Sequence, residues 1–164
     1  MKVHYRDPKF RGLTKCGLHS DPAVAASRGR WLAVMRLPES RYHCGEFENV
    51  NDPDCRCCMG HANHALGVSR TVVFVAGVRH RVVYAGQSSV LADDVARSLD
   101  VTPRGTLAEA VHVNGKRYKC LTDLNDNARL HPKQMAHFIE TEMRAGNFVP
   151  FGADDTDFGA GALE

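Results

Sequence analysis

The stretch Val111-His112-Val113-Asn114-Gly115-Lys116-Arg117-Tyr118-Lys119-Cys120 carries the clearest signal of local structure in the chain. An Asn-Gly pair suits a two-residue type I′ turn, because both central residues of that turn take a positive φ. Pairing across this turn places Val111, Val113 and Tyr118 on one face, and His112, Arg117 and Lys119 on the other. We therefore predict a β-hairpin here.

An earlier hairpin is predicted from residues 71–75 and 81–84. Both segments consist mainly of β-branched and aromatic residues, which favour strands, and Gly77 lies in the turn between them. A helix capped by Ser88 or Ser89 is expected to follow. A last helix is expected to begin at His131-Pro132, with its apolar stripe listed here: Met135, Phe138, Ile139 and Met143.

The first helix is expected to begin at Asp21-Pro22, with Asp as the N-cap and Pro in the first helical position. It either ends near Arg28 or continues to Met35, and residues 31–37 also have the pattern of a strand. Residues 38–54 are predicted to be a loop, after which Asp54 caps a short helix.

Together these elements predict an α+β protein with a small antiparallel sheet made of the two hairpins, plus helices. We expect a zinc-binding segment over residues 1–67 and a hairpin–helix–hairpin–helix unit over 68–150. Residues 151–164 are predicted to be an acidic flexible tail, since they are rich in Gly, Ala and Asp.

Composition narrows the classes of protein that the chain can represent. The 164 residues have a formal net charge of +2, with basic residues predominating before residue 123 and acidic residues after it. No apolar run approaches the roughly 20 residues of a membrane span. The N-terminal residues lack the apolar core of a secretory signal, so we predict a cytoplasmic protein. No glycine-rich phosphate loop or other small-molecule cofactor motif is evident.

Three of the four positions from 55 to 58 are cysteines, namely Cys55, Cys57 and Cys58. His61 and His64 follow them. Closely spaced thiols in a reducing compartment indicate metal binding or redox chemistry. Cys55 and Cys58 have the Cys-x-x-Cys spacing that supplies two ligands of a tetrahedral zinc site. A helix beginning there would stabilise thiolate charge through its free backbone N–H groups.

The remaining two zinc ligands are sought upstream, at Cys16-Gly17 and His4. The order His4, Cys16-Gly17, Asp52-Pro53 and Cys55-x-x-Cys58 resembles small zinc-ribbon-like proteins of actinobacteria and their phages, over residues 1–60 only. This resemblance implies a closed structural zinc site with the ligands His4, Cys16, Cys55 and Cys58.

Other ligand sets stay open. His43-Cys44-Gly45 competes with Cys16-Gly17 as the upstream ligand segment, and a second ion is also compatible with the number of candidates. The further sets considered are these: Cys16 with His19, Cys44 with Cys57, and His61 with His64.

Four basic residues on the hairpins are candidates for nucleic-acid contacts: Arg79, Arg81, Arg117 and Lys119. If both hairpins aligned in one sheet, these side chains would form a surface able to follow phosphates. An ordinary charged solvent face is the simpler interpretation.

We therefore predict a non-enzymatic zinc-binding accessory or regulatory protein of bacterial or phage type, which binds nucleic acid or a complex acting on it. One alternative is a metal-dependent hydrolase or nuclease with an open metal position near His61 or His64. A second is a protein-interaction module that inhibits a host enzyme.

Overall fold

The computed structural model describes residues 17–75 and 79–153, which contain both helices and antiparallel strand pairs. The helices are α1 Pro22–Met35, α2 Cys58–Ala65, α3 Asp93–Leu99, α4 Leu121–Ala128 and α5 Pro132–Ala145. The strands are β1 Arg41–Tyr42, β2 Glu48–Asn49, β3 Asp52–Arg56, β4 Arg70–Val75, β5 Arg79–Tyr84, β6 Thr106–Val113 and β7 Lys116–Cys120. The predicted α+β class is confirmed.

Helix α1 begins where the sequence predicts, with the Asp21 side chain as its cap and Pro22 in its first turn. It continues through Gly29 to Met35, so neither the early end nor the alternative strand forms. A helical glycine costs about 1 kcal/mol relative to alanine. Burial of Trp31 and Met35, both 0% exposed, outweighs that cost.

The region predicted as a loop before the cysteines contains a small sheet. Its strand order is β1–β3–β2, with β1 parallel and β2 antiparallel to β3. Asp54 therefore lies within a strand, and Cys57 caps α2 in its place. Strands of two residues leave no periodic pattern in a sequence, which explains why this sheet was missed.

Both predicted hairpins are present. At the second turn, Asn114 and Gly115 have φ values of +52° and +79°, as the type I′ geometry requires. The two hairpins form separate two-stranded sheets, β4–β5 and β6–β7, rather than one sheet. Among the described residues, the common sheet on which a joint basic face was expected is therefore absent.

Helix α3 begins later than the sequence predicts. Its N-cap is Ala92, so the predicted capping by Ser88 or Ser89 is wrong. The chain first makes a turn at Ala85 and Gly86, whose φ values are both positive. Leu91 is buried ahead of the helix rather than within it.

Helix α4 was not predicted at all, because the residues after the second hairpin are mostly polar. Only Leu121 and Leu124 supply its fully buried apolar face. Helix α5 follows as predicted, with His131 and Gln134 forming a capping box and Gly146 ending it.

One hydrophobic core joins the segments on both sides of residue 67. Trp31 and Met59 from the first part pack in the same cluster as Leu121, Met135 and Ile139 from the second. The Trp31 indole N–H also donates to the backbone oxygen of Cys58 at 2.8 Å. Within the described ranges, no helix is both long and apolar enough to cross a membrane.

Candidate functional site

The four predicted zinc ligands are only partly visible in the structure. His4 and Cys16 lie outside the described residues. Cys55 lies in β3, and Cys58 is the first residue of α2. Over residues 17–75 and 79–153, no three His, Cys, Asp or Glu side chains converge as a metal site would require.

The sulfurs of Cys55 and Cys58 contact different carbonyl groups. The Cys55 thiol donates to the Tyr42 oxygen at 3.0 Å, whereas Cys58 Sγ lies 3.9 Å from the Leu121 oxygen. Burial raises the pKa of both thiols above their ordinary range. Zinc ligation by His4, Cys16, Cys55 and Cys58 stays a prediction.

His19, a member of an alternative ligand set, already uses both ring nitrogens. Its Nε2 lies 2.8 Å from the Asp100 carboxylate, and its Nδ1 accepts the backbone N–H of Asp21 at 2.9 Å. A metal ion would have to replace one of these contacts. The structure therefore gives no support to the pairing of Cys16 with His19.

Cys57 has a structural task at the start of α2. Its sulfur accepts the backbone N–H of Gly60 at 3.3 Å, and burial raises the pKa of the thiol to about 12. Cys44, proposed as its partner in another ligand set, is exposed. Cys57 and Cys44 therefore lie in different environments, one buried and one exposed, although both are free thiols.

The third alternative set, His61 with His64, combines a buried and an exposed imidazole. His61 is 1% exposed, and neither of its ring nitrogens has a hydrogen-bond partner among the described residues. Burial lowers the pKa of His61 to about 4. His64 is on the exposed side of the same helix. Partial burial of its ring still lowers the pKa of His64.

A cleft of about 390 Å³ lies beside the cysteines, where α2 and α4 begin. Carboxylates from Asp123 and Asp126 line it together with Arg104, whose guanidinium is 3.4 Å from Asp123. The amides at the start of α2 are already bonded, since the N–H of Cys58 donates to Asn125. That N–H is therefore not available to an anion in this cleft.

Asn125 forms hydrogen bonds both to the cysteine segment, residues 55–58, and to the loop that follows β1. Its Oδ1 accepts the N–H of Cys58 at 3.0 Å, and its Nδ2 donates to the oxygen of His43 at 2.9 Å. The neighbouring Asp126 carboxylate accepts the N–H of Gly45 at 2.9 Å. Sequence reasoning missed this role, because the helix that carries both side chains was itself missed.

A buried ionic network fixes the first hairpin to the small sheet. The Glu48 side chain, which is 0% exposed, accepts from Arg56 Nε at 3.3 Å and from Arg70 Nε at 2.6 Å. The Tyr84 hydroxyl donates to the same carboxylate. Because Arg70 begins β4 and Tyr84 ends β5, both strands are held at their base.

The four basic residues predicted to contact nucleic acid lie on two separate two-stranded sheets. The Arg81 Nε lies 3.9 Å from the Glu46 carboxylate. Lys119 donates to the backbone oxygen of Ala108 at 3.2 Å. Arg117 is exposed on the other hairpin, and Arg79 starts β5 with a side chain outside the described part.

Strand β4 presents apolar side chains to solvent. Val72, Val73 and Phe74 are 42%, 36% and 66% exposed. Phe74 makes an edge-to-face contact with His80 across the hairpin, at 5.4 Å between ring centroids. The signal in the sequence was the run of apolar residues without alternation, which predicts a strand buried on both faces. Within the described residues, β4 has no such cover.

Comparisons of the chain with known protein families, with curated proteins and with solved structures found no match.

Proposed function

We propose that this chain is a non-enzymatic protein-interaction module, and that it binds an extended, apolar protein segment along strand β4. The observation that carries the proposal is the exposure of three consecutive large apolar residues, Val72–Phe74. Val72 and Phe74 lie on one face of the strand and Val73 on the other. Exposed large apolar side chains that neighbour one another on a face mark sites of protein association. We call the outward side of this strand the β4 edge.

The β4 edge offers backbone groups as well as side chains. Tyr84 exchanges both of its backbone hydrogen bonds with Gln87, so it cannot exchange them with Arg70, its partner in the hairpin register. Bonded and non-bonded pairs alternate along an antiparallel ladder. The N–H and C=O groups of Arg70, Val72 and Phe74 therefore point away from β5.

An added strand could satisfy these outward groups, as in other cases of recognition at a sheet edge. In the part of the chain that the structure describes, β4 pairs with β5 alone. The Glu48 network holds the base of the hairpin, because Arg70 and Tyr84 both bind its carboxylate. A binding edge held in this way loses little conformational entropy on association.

The contacts and positions of the basic residues favour a protein partner over nucleic acid. Arg81 is near Glu46, and Lys119 donates to a backbone oxygen of its own hairpin. The remaining candidates are on two different sheets. Binding to nucleic acid needs several cations facing phosphates together, so the division of these candidates between two sheets favours a protein partner.

Zinc binding and a cytoplasmic location are separate parts of the proposal. The five described cysteines are all free thiols, which is consistent with a reducing compartment. The zinc ligands proposed are still His4, Cys16, Cys55 and Cys58, and their role would be structural.

A library of displayed random peptides, selected on the full chain, tests the proposal. We expect enriched peptides with alternating apolar residues that bind the wild type and do not bind Val72→Pro. Proline is tolerated on an edge strand where its N–H faces outward, so this variant removes a binding donor and keeps the hairpin. Leu37→Ala is the control, since Leu37 is as exposed (41%) and lies elsewhere.

Two results would overturn the proposal. One is enrichment of peptides that bind the wild type and Val72→Pro equally. The other is binding of a labelled DNA or RNA oligonucleotide with a steep salt dependence that is lost in an Arg117→Ala, Lys119→Ala double variant, without any peptide selected. The second result would favour nucleic acid as the partner.

A further inference from the structure

We infer that the segment bound at the β4 edge is the β4 edge of a second copy of this chain, so that two hairpins join into a four-stranded antiparallel sheet. This inference depends on the proposed function, because it names the partner at the same site. A twofold axis through Val72 would relate the two copies, as in most homodimers.

The outward backbone groups select this register. With Val72 opposite itself, Arg70 lies opposite the second copy's Phe74, and all three outward-facing residues meet outward-facing residues. Each of these pairs then exchanges backbone hydrogen bonds in the ordinary antiparallel pattern. A shift by two residues would leave either Arg70 or Phe74 of each copy beyond the end of the partner strand and reduce the three pairs to two.

The side chains in this register are compatible with self-pairing. Arg70 is the only charged residue of β4, so no like charges of this strand stand directly opposite each other. Its guanidinium would meet an aromatic ring, with which cations interact favourably. Val72 would pack against its own copy, and the exposed area of Phe74 would fall.

Strand β4 also lacks the features that keep an edge from pairing. It contains no proline or lysine, and its register with β5 runs without a bulge from Arg70↔Tyr84 to Val75↔Arg79. A sheet of two strands is only marginally stable by itself, whereas a sheet of four strands with an apolar face can be stable.

The second hairpin provides an internal contrast. Its register is interrupted between Thr106 and Val111, and strand β7 carries Lys116, Arg117 and Lys119. The start of β6 is covered by residues 147–149, through bonds from the N–H of Ala108 and from the N–H of Val149. Only the first hairpin combines an open, regular edge with apolar side chains among the described residues.

Sedimentation velocity of the full chain over a wide range of concentration tests the inference. We expect a reversible dimer whose dissociation constant is raised at least about tenfold by Val72→Lys, because two ammonium groups would then face each other at the twofold axis. Leu37→Lys is the matched control, with the same change in charge at a residue of equal exposure, and should leave the dimer intact.

Hydrogen exchange supplies a second measurement that does not depend on a variant. The amides of Val72 and Phe74 should exchange fast in dilute protein and slowly in concentrated protein. Circular dichroism of Val72→Lys checks that the fold is kept. Val72→Pro should also weaken the dimer, because it removes a backbone N–H donor instead of adding a charge.

The inference is overturned if the chain is a monomer at all concentrations, or if Val72→Lys and Leu37→Lys weaken the dimer equally. A monomer that still selects peptides sensitive to Val72→Pro would refute the second copy and leave the proposed function standing. Slow exchange at Val72 and Phe74 in a monomer would mean that another part of this chain covers the edge, which would refute both.

Discussion

The Nε of Arg70 donates to the Glu48 carboxylate at 2.6 Å, although the two residues belong to different sheets. Through this contact the exposed hairpin is attached to a fully buried acid. Arg56, 5% exposed, shares the carboxylate, so a single negative charge faces one buried guanidinium and one that is partly exposed.

Glu48→Ala should therefore lower the free energy of unfolding by about 3–5 kcal/mol, because it leaves the buried Arg56 without its partner. Asp94→Ala is the control, since it breaks an exposed ion pair with Arg97 and should have little effect. Urea denaturation measures both. Equal losses for the two variants would show that the buried network is not an important support of the fold.

Tyr84 predicts an alkaline limit to stability. Burial, followed by the hydrogen bond to Glu48, raises the pKa of Tyr84 to about 12, compared with about 10 in the unfolded chain. Stability from this group is complete below pH 10 and is lost as the pH rises towards 12, because the unfolded state ionises first. Tyr84→Phe should lose less stability than the wild type over that interval, measured by urea denaturation at each pH. Parallel curves would contradict the assignment.

Asn125 should contribute more to the free energy of unfolding than Asn127, which lies in the same helix. Asn125→Ala leaves the Cys58 N–H and the His43 oxygen without their partner, at a cost of about 1–3 kcal/mol. Asn127 is exposed and, among the described residues, donates to the Asp123 oxygen, so Asn127→Ala should change stability by under about 0.5 kcal/mol. A similar small change for both, in urea denaturation, would argue against Asn125 as the anchor of the cysteine segment.

Two helical glycines should respond in opposite directions. A Cβ at Gly60 would lie 2.0 Å from the Phe47 backbone oxygen, so Gly60→Ala should force the helix and the sheet apart and strongly destabilise the fold. At Gly29 the nearest atom is a flexible Leu18 methyl group at 4.0 Å. Gly29→Ala should raise the thermal midpoint, by the equivalent of about 0.5–1 kcal/mol. A stable Gly60→Ala protein would show that this close approach is not needed.

The zinc prediction is tested by metal content and X-ray absorption on protein purified without chelator or His-tag. We expect one zinc per chain with three sulfurs and one nitrogen. Cys16→Ser and Cys55→Ser should each remove the metal, whereas Cys44→Ser should not. Metal-free protein, or a shell rich in nitrogen and oxygen, would exclude the predicted ligand set.

Local chemistry determined the elements that the sequence alone could predict. Asp21-Pro22 begins a helix because a side chain satisfies a free N–H and the ring presets φ. Asn114-Gly115 makes a turn because both residues tolerate positive φ. These effects involve neighbouring atoms only, so they hold wherever the segment lies in the fold.

Tertiary contacts decided the rest. The short strands β1 to β3 and helix α4 have too few apolar residues to form by themselves, and they exist because they pack on α2 and on one another. Asn125 and Glu48 could not be recognised as anchors, since their partners Cys58 and Arg70 lie 67 and 22 residues away in the chain. The sequence thus determined that Val72–Phe74 form a strand. Whether that strand is buried or exposed depended on how many others pair with it, which is settled only by the packing of the whole chain.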